Sequence, residues 1–164
     1  MRPVDEQICQ LSKTVGERLK ARGWSITCAE SCTGGLVAAY LTEIAGSSAY
    51  FERGFVTYSN QAKQELLEVS ATTLENHGAV SAQTVIEMAK GALKAAQAEV
   101  ALSISGIAGP DGGTVQKPVG TVWFGWASKD GLVLSEVHRF DGDRHCVRQQ
   151  AARHALTVVL EKFL

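Results

Sequence analysis

Residues 100–105 read VALSIS, a nearly continuous apolar run. A strand of that kind is covered on both faces, which puts it in the middle of a sheet with helices above and below. The run breaks into GIAGPDGGTVQKP, thirteen residues with four glycines and two prolines. A loop of that length inside a compact domain is usually functional or disordered. A buried central strand that ends in a glycine-rich loop therefore constrains the fold class and marks the first place to look for a site.

The remaining elements fit around that strand. Val4, Ile8, Leu11, Val15 and Leu19 recur at steps of three and four with Gly23 after them, the pattern of an amphipathic helix with a glycine stop. WSITCA reads as the first strand, and Leu36, Val37, Tyr40, Leu41 and Ile44 give a second helical stripe ended by Gly46. GFVTYS, 54–59, is rich in aromatic and β-branched residues and predicts a strand. NQAKQELLEV predicts a short helix capped by Asn60 with Lys63 in its first turn, and His77 before Gly78 marks another helix end. A long helix starts from a Ser81 cap and buries Val85, Met88, Ala89, Ala92, Leu93 and Ala96. VGTVWFGWA and LVLSEVHRF, joined at SKDG, form a hairpin and so an antiparallel pair. Val147, Ala151, Ala155, Val158 or Val159 and Phe163 make the apolar face of a closing helix. This order predicts a single α/β domain over 1–164, a three-layer α/β/α sandwich with a mixed, mostly parallel sheet containing one antiparallel hairpin.

Composition removes several classes of function. Sixteen basic against seventeen acidic side chains give a net charge of −1 without a block of like charge, a poor footprint for nucleic acid. No apolar run approaches the roughly 20 residues that span a bilayer, so no membrane partner is expected. The first twenty residues lack the apolar core of a signal peptide, which points to the cytoplasm. Cys9, Cys28, Cys32 and Cys146 form no C-x-x-C pair, and His77, His138, His145 and His154 are scattered, so reduced thiols and no metal site are expected.

In sheets of this kind ligands bind beyond the carboxyl ends of strands. AESCTGG, 29–35, follows the first strand and SGIAGPDGG follows the central one. If the two strands are neighbours, their ends enclose a cleft of glycine backbone, hydroxyls and the carboxylates of Glu30 and Asp111. Neither loop fits a Walker A or dinucleotide fingerprint. Ser31 has the placement of a nucleophile if a base is in reach, with amides near Thr33 and Gly34 as oxyanion donors. Ser31 or Thr33 serving only as a helix N-cap is the alternative. Cys32 is intrinsically the stronger nucleophile. Lys63 is a candidate base, although most lysines so placed are surface charges. Arg144 and Arg148, four apart, share a face that either clamps an anion or pairs with Asp141 and Asp143.

Taken together, AESCTGG, GSSAYFERGFVTYSNQAK, HGAVS, SISGIAGPDGG, KPVGTVWF and FDGDRHCVRQQA resemble the CinA C-terminal domain family over nearly the whole chain. That resemblance implies a cofactor-free amidohydrolase that converts the carboxamide of nicotinamide mononucleotide to nicotinate mononucleotide and ammonia in pyridine-nucleotide salvage. It implies Ser31 as nucleophile, Lys63 as base and Tyr58 as a third hydroxyl. Substrate contacts are expected from Glu30, Thr33, Gly34, Ser105, Gly106, Gly109 and Arg144, with the phosphate on the Ser105–Gly113 loop or on Arg144. A non-catalytic nucleotide-binding or regulatory module using the same glycine loops is the rival reading. The small-molecule substrate is the expected partner, and a homodimer is left open.

Overall fold

Helix α1, Pro3–Arg22, opens a computed structural model that describes residues 3–164, with side chains described from Glu6 onward. Val4 therefore lies outside the described side chains. Ile8, Val15 and Leu19 are buried as the helical spacing requires. The other elements follow in order: β1 (Ile26–Glu30), α2 (Leu36–Thr42), a 3₁₀ turn (Ser47–Ala49), β2 (Phe55–Val56), α3 (Asn60–Leu67), α4 (Ala71–His77) and α5 (Ala82–Ala96). Strands β3 (Val100–Gly106), β4 (Thr121–Ser128) and β5 (Val133–Arg139) complete the sheet, and α6 (Arg144–Val158) runs into a π-helical turn, Val159–Phe163.

Among the described residues the sheet has five strands in the order β2-β1-β3-β4-β5. β1 pairs parallel with β2 and β3, whereas β4 pairs antiparallel with β3 and β5. β4 alone runs against the others, because the loop after β3 and the SKDG turn each reverse the chain, while helical crossovers join the parallel strands β1, β2 and β3. The sheet is thus mixed, as the hairpin predicts.

The apolar run of β3 is buried on both faces. Val100, Leu102 and Ile104 join a core with α1, α2 and α6, while Ala101 joins a second core with Leu67, Val85, Met88 and Ala92. The period-two alternation of β-strand side chains divides them in this way. Trp126 Nε1 donates to the Ala155 carbonyl at 3.1 Å, fixing α6 on the first face. On the second face α3 packs against α5 at Gly91, where a Cβ would collide with the Leu67 carbonyl. That close approach matters because α3 carries Lys63.

Three local expectations shift. The strand predicted over 54–59 pairs only at Phe55–Val56, since β1 ends at Glu30 and offers nothing beyond it to pair with. The cap of α3 is Ser59, whose hydroxyl accepts from the Ala62 amide, and Asn60 is already helical. α2 stops at Thr42 rather than running to Ile44. The Ser81 cap stands, its hydroxyl accepting from Thr84 N.

Candidate active site

β1 and β3 are parallel neighbours, with Glu30 opposite Ile104. Their carboxyl ends therefore lie side by side, and the Ser31 amide donates to the Ile104 carbonyl at 3.0 Å. The loops after both strands meet over a cavity of about 300 Å³ whose wall includes Ser31, Cys32, Lys63, Ser105, Gly106 and Arg144. Gly109, Asp111, Asn60, Ala79 and Val80 also face it. Tyr58, 62% exposed, sits at its rim.

Lys63 reaches the cavity from the second turn of a short helix. Its ammonium donates to Ser31 Oγ at 2.9 Å and to the Thr57 carbonyl at 2.7 Å. The Thr57 carbonyl is available because the chain leaves β1 immediately after β2. Lys63 is only 1% exposed, so it is not a solvated surface charge. Burial disfavours the charged form and lowers its pKa to about 8, against a smaller opposing influence of Cys32. A lysine so placed is still mostly protonated at pH 7 but reaches its neutral form far more readily than an ordinary lysine, and it lies within proton-transfer distance of a hydroxyl.

Cys32 differs from the reactive thiol that its place near a helix start suggests. Burial pushes its pKa up to about 11, which leaves the protonated, weakly nucleophilic form at neutral pH. All four cysteines are free thiols.

Glu30, Thr33 and Gly34, expected among the substrate contacts, do not line the cavity. Glu30 is fully buried and its carboxylate turns under the loop. It accepts from Thr33 Oγ1 at 2.6 Å and from the amides of Gly35, Val37 and Ala38 at 3.2, 3.0 and 3.1 Å. The α2 N-terminus has no side-chain cap of its own at Gly35, so neither Ser31 nor Thr33 is the N-cap. Glu30 satisfies those orphan amides from the preceding strand. Gly34 adopts a positive φ of 56° and its amide donates back to the Ser31 carbonyl, which removes it as an oxyanion donor. The turn is tight because two successive glycines, Gly34 and Gly35, both take positive φ.

The two arginines of α6 have separate tasks. Arg148 donates to the carbonyls of Cys32 and Thr33 at 3.0 and 3.1 Å and so clamps the Ser31 turn. Arg144 donates to the Gly109 carbonyl at 2.9 Å and to the Tyr58 hydroxyl at 3.0 Å, bridging the two sides of the cavity. Neither pairs with Asp141 or Asp143, and Asp143 caps α6 through the Cys146 amide. The clamp by Arg148 and the carbonyl of Thr57 have no local sequence signal, because both depend on contacts between distant segments.

A buried lysine bonded to a serine at a strand end, beside a glycine-rich loop, can supply a nucleophile and a base to one reacting atom. The chain belongs to the CinA C-terminal domain family, whose model matches residues 8–163. It is 61% identical over 160 residues to nicotinamide-nucleotide amidohydrolase PncC of Enterobacter agglomerans, covering 98% of each chain. Identity to the protein of the same name from Escherichia coli strain K12 is 58% over 160 residues, covering 98% of this chain and 97% of that one. Among solved structures, the competence/damage inducible protein CihA from Agrobacterium tumefaciens superposes with a TM-score of 0.93 at 44% identity, covering 99% of both chains. Among the described residues no helix is long and apolar enough to cross a membrane.

Proposed function

We propose that this chain is a nicotinamide-nucleotide amidohydrolase that cleaves the carboxamide of nicotinamide mononucleotide with Ser31 as nucleophile and Lys63 as base. The observation that carries the reading is the 2.9 Å contact between a buried lysine of lowered pKa and a serine hydroxyl facing a cavity. A helix cap or a ligand-binding hydroxyl needs no such lysine, which favours an enzyme over a non-catalytic nucleotide-binding module.

Neutral Lys63 takes the Ser31 proton as Oγ attacks the amide carbon. The cationic pyridinium ring withdraws electrons from that carbon and assists the attack. The tetrahedral oxyanion falls to backbone amides of the cavity wall. Glu30 already holds those of Gly35, Val37 and Ala38, Gly34 bonds to Ser31 and Ile107 to Thr121, so the amides of Cys32 and of Ala108, Gly109, Asp111 and Gly112 are the candidate donors. Lys63 then returns its proton to the leaving nitrogen, the C–N bond of the tetrahedral adduct breaks, and ammonia departs, leaving an acyl-serine ester. Water, deprotonated by Lys63, opens the ester and releases nicotinate mononucleotide. Arg144 and the Ser105–Gly113 loop are the candidates for the substrate phosphate, with Tyr58 beside them. The reaction fits pyridine-nucleotide salvage in the cytoplasm.

The test is ammonia release from nicotinamide mononucleotide by the purified protein and by Ser31→Ala. Turnover is expected from the first and none from the second, with ligand binding retained. Binding without turnover by the wild type would instead support the non-catalytic module.

A further inference from the structure

Two histidines that lie sixteen residues apart in the sequence meet at the far edge of the sheet. Glu136 and His138 alternate onto one face of β5, and His154 comes down on that face from α6. His138 Nε2 lies 3.4 Å from Glu136 Oε1, and His154 Nε2 lies 3.7 Å from Glu136 Oε2. One ligand atom from each residue falls within 4.8 Å of the others. Separate hydrogen bonds explain this arrangement incompletely. His154 Nε2 is buried from solvent and has no hydrogen-bond partner, a costly state for a polar atom.

We propose that Glu136, His138 and His154 form a binding site for a divalent late transition-metal ion, zinc foremost. Imidazole nitrogens with a carboxylate are the donor set that zinc accepts at about 2.0–2.2 Å. Tetrahedral ligands at that bond length stand about 3.3–3.6 Å apart. The separations of 3.4 and 3.7 Å, made to the two different oxygens of Glu136, are close to that span, and side-chain rotations that close the remaining spread within 4.8 Å gather the set on one ion. The imidazoles are already oriented by aromatic neighbours. Phe124 meets the His154 ring edge-on at 4.8 Å and the His138 ring at 5.9 Å, and Phe140 stacks on His138 at 5.9 Å. Three protein ligands leave a coordination position open to water. A bound ion would tie the edge strand β5 to α6, and none of its ligands lines the proposed active-site cavity. Histidines that are scattered in the sequence are brought together here by the sheet and α6.

The experiment is calorimetric titration of the chelator-treated whole chain with zinc chloride, repeated on Cys9→Ser/Cys146→Ser to remove the accessible thiols. One equivalent is expected to bind in both proteins. Glu136→Gln and His138→Gln, at half-exposed positions that do not threaten the fold, are each expected to lose more affinity than the roughly 10- to 100-fold that outer-shell partners carry. The wild type is also expected to gain a zinc-dependent rise in Tm that these variants lack. Absence of saturable binding overturns the proposal, as does binding that survives both substitutions or disappears with the cysteines.

Discussion

Lys63 Nζ lies 2.9 Å from Ser31 Oγ, and among the described residues no carboxylate pairs with it. Its pKa of about 8 therefore reflects burial with little compensation. With the base acting in its neutral form, about a tenth of the enzyme is competent at pH 7, one unit below that value. The rate should rise with pH through about 8 and level off above it. Lys63→Met should lower kcat by several orders of magnitude with a modest change in KM. Lys63→Arg should fail nearly as badly, since arginine keeps the charge and cannot lose it. Near-normal turnover in Lys63→Arg would reduce Lys63 to an electrostatic contact.

The same lysine makes the fold pH-dependent. Its folded pKa of about 8 lies below the ordinary value of 10.5. Between those two values the unfolded chain binds the proton and the folded chain does not, so stability rises with pH across that window. Below about 8 both states are protonated and the dependence vanishes. Urea midpoints measured from pH 7 to pH 10 should climb in the wild type more than in Lys63→Met. Equal slopes would mean that the lysine keeps an ordinary pKa.

Cys32 should be dispensable for bond making. Its thiol, raised to about 11 by burial, is protonated at neutral pH. Cys32→Ala should keep turnover within a few-fold and lose about 1 kcal/mol or somewhat more of stability from the small void. Iodoacetamide at neutral pH should leave the native wild type active. Loss of turnover in Cys32→Ala, with Ser31→Ala still active, would transfer the nucleophile to the thiol.

Chelation should leave deamidation untouched. The cavity wall supplies one carboxylate, Asp111, and no histidine, which is too few ligands for a resident ion. The Glu136, His138 and His154 group lies apart from that wall. Activity lost to EDTA and restored by a divalent ion would show that metal takes part in the reaction.

What the sequence disclosed was mostly periodic or local. The apolar run of β3, the glycine stop after α1 and the Ser81 cap are read within a single window of residues. Where two good caps adjoin, as at Ser59 and Asn60, composition does not say which hydrogen bond forms. β2 shrinks to Phe55–Val56 because pairing depends on where β1 stops, which is a property of another segment. The 32-residue separation of Ser31 from Lys63 carries no signal of its own: local placement makes each a candidate, and only the family resemblance joins them as a pair. Glu30 shows the opposite failure. A carboxylate in a glycine-rich loop reads as a ligand contact, while the unsatisfied amides at the start of α2, invisible in the sequence, draw it inward.

Glu30 gives the prediction that separates those two readings. As a substrate contact, Glu30→Gln would raise KM and leave Tm unchanged. The structure instead makes it the common acceptor for Thr33 Oγ1 and the amides of Gly35, Val37 and Ala38, fully buried beneath the residue that precedes Cys32. Glu30→Ala should orphan those donors and cost about 3–5 kcal/mol, at about 1–3 kcal/mol for each amide left without a partner or water. Glu30→Gln keeps one acceptor oxygen but turns an NH₂ group towards donors, so it should cost less than alanine and still lower Tm. Because Ser31 follows Glu30 directly, both variants should lower kcat more than they raise KM, even well below their melting temperatures. Thermal unfolding and steady-state ammonia release on the three proteins check this, and a KM effect at unchanged Tm would return Glu30 to the substrate.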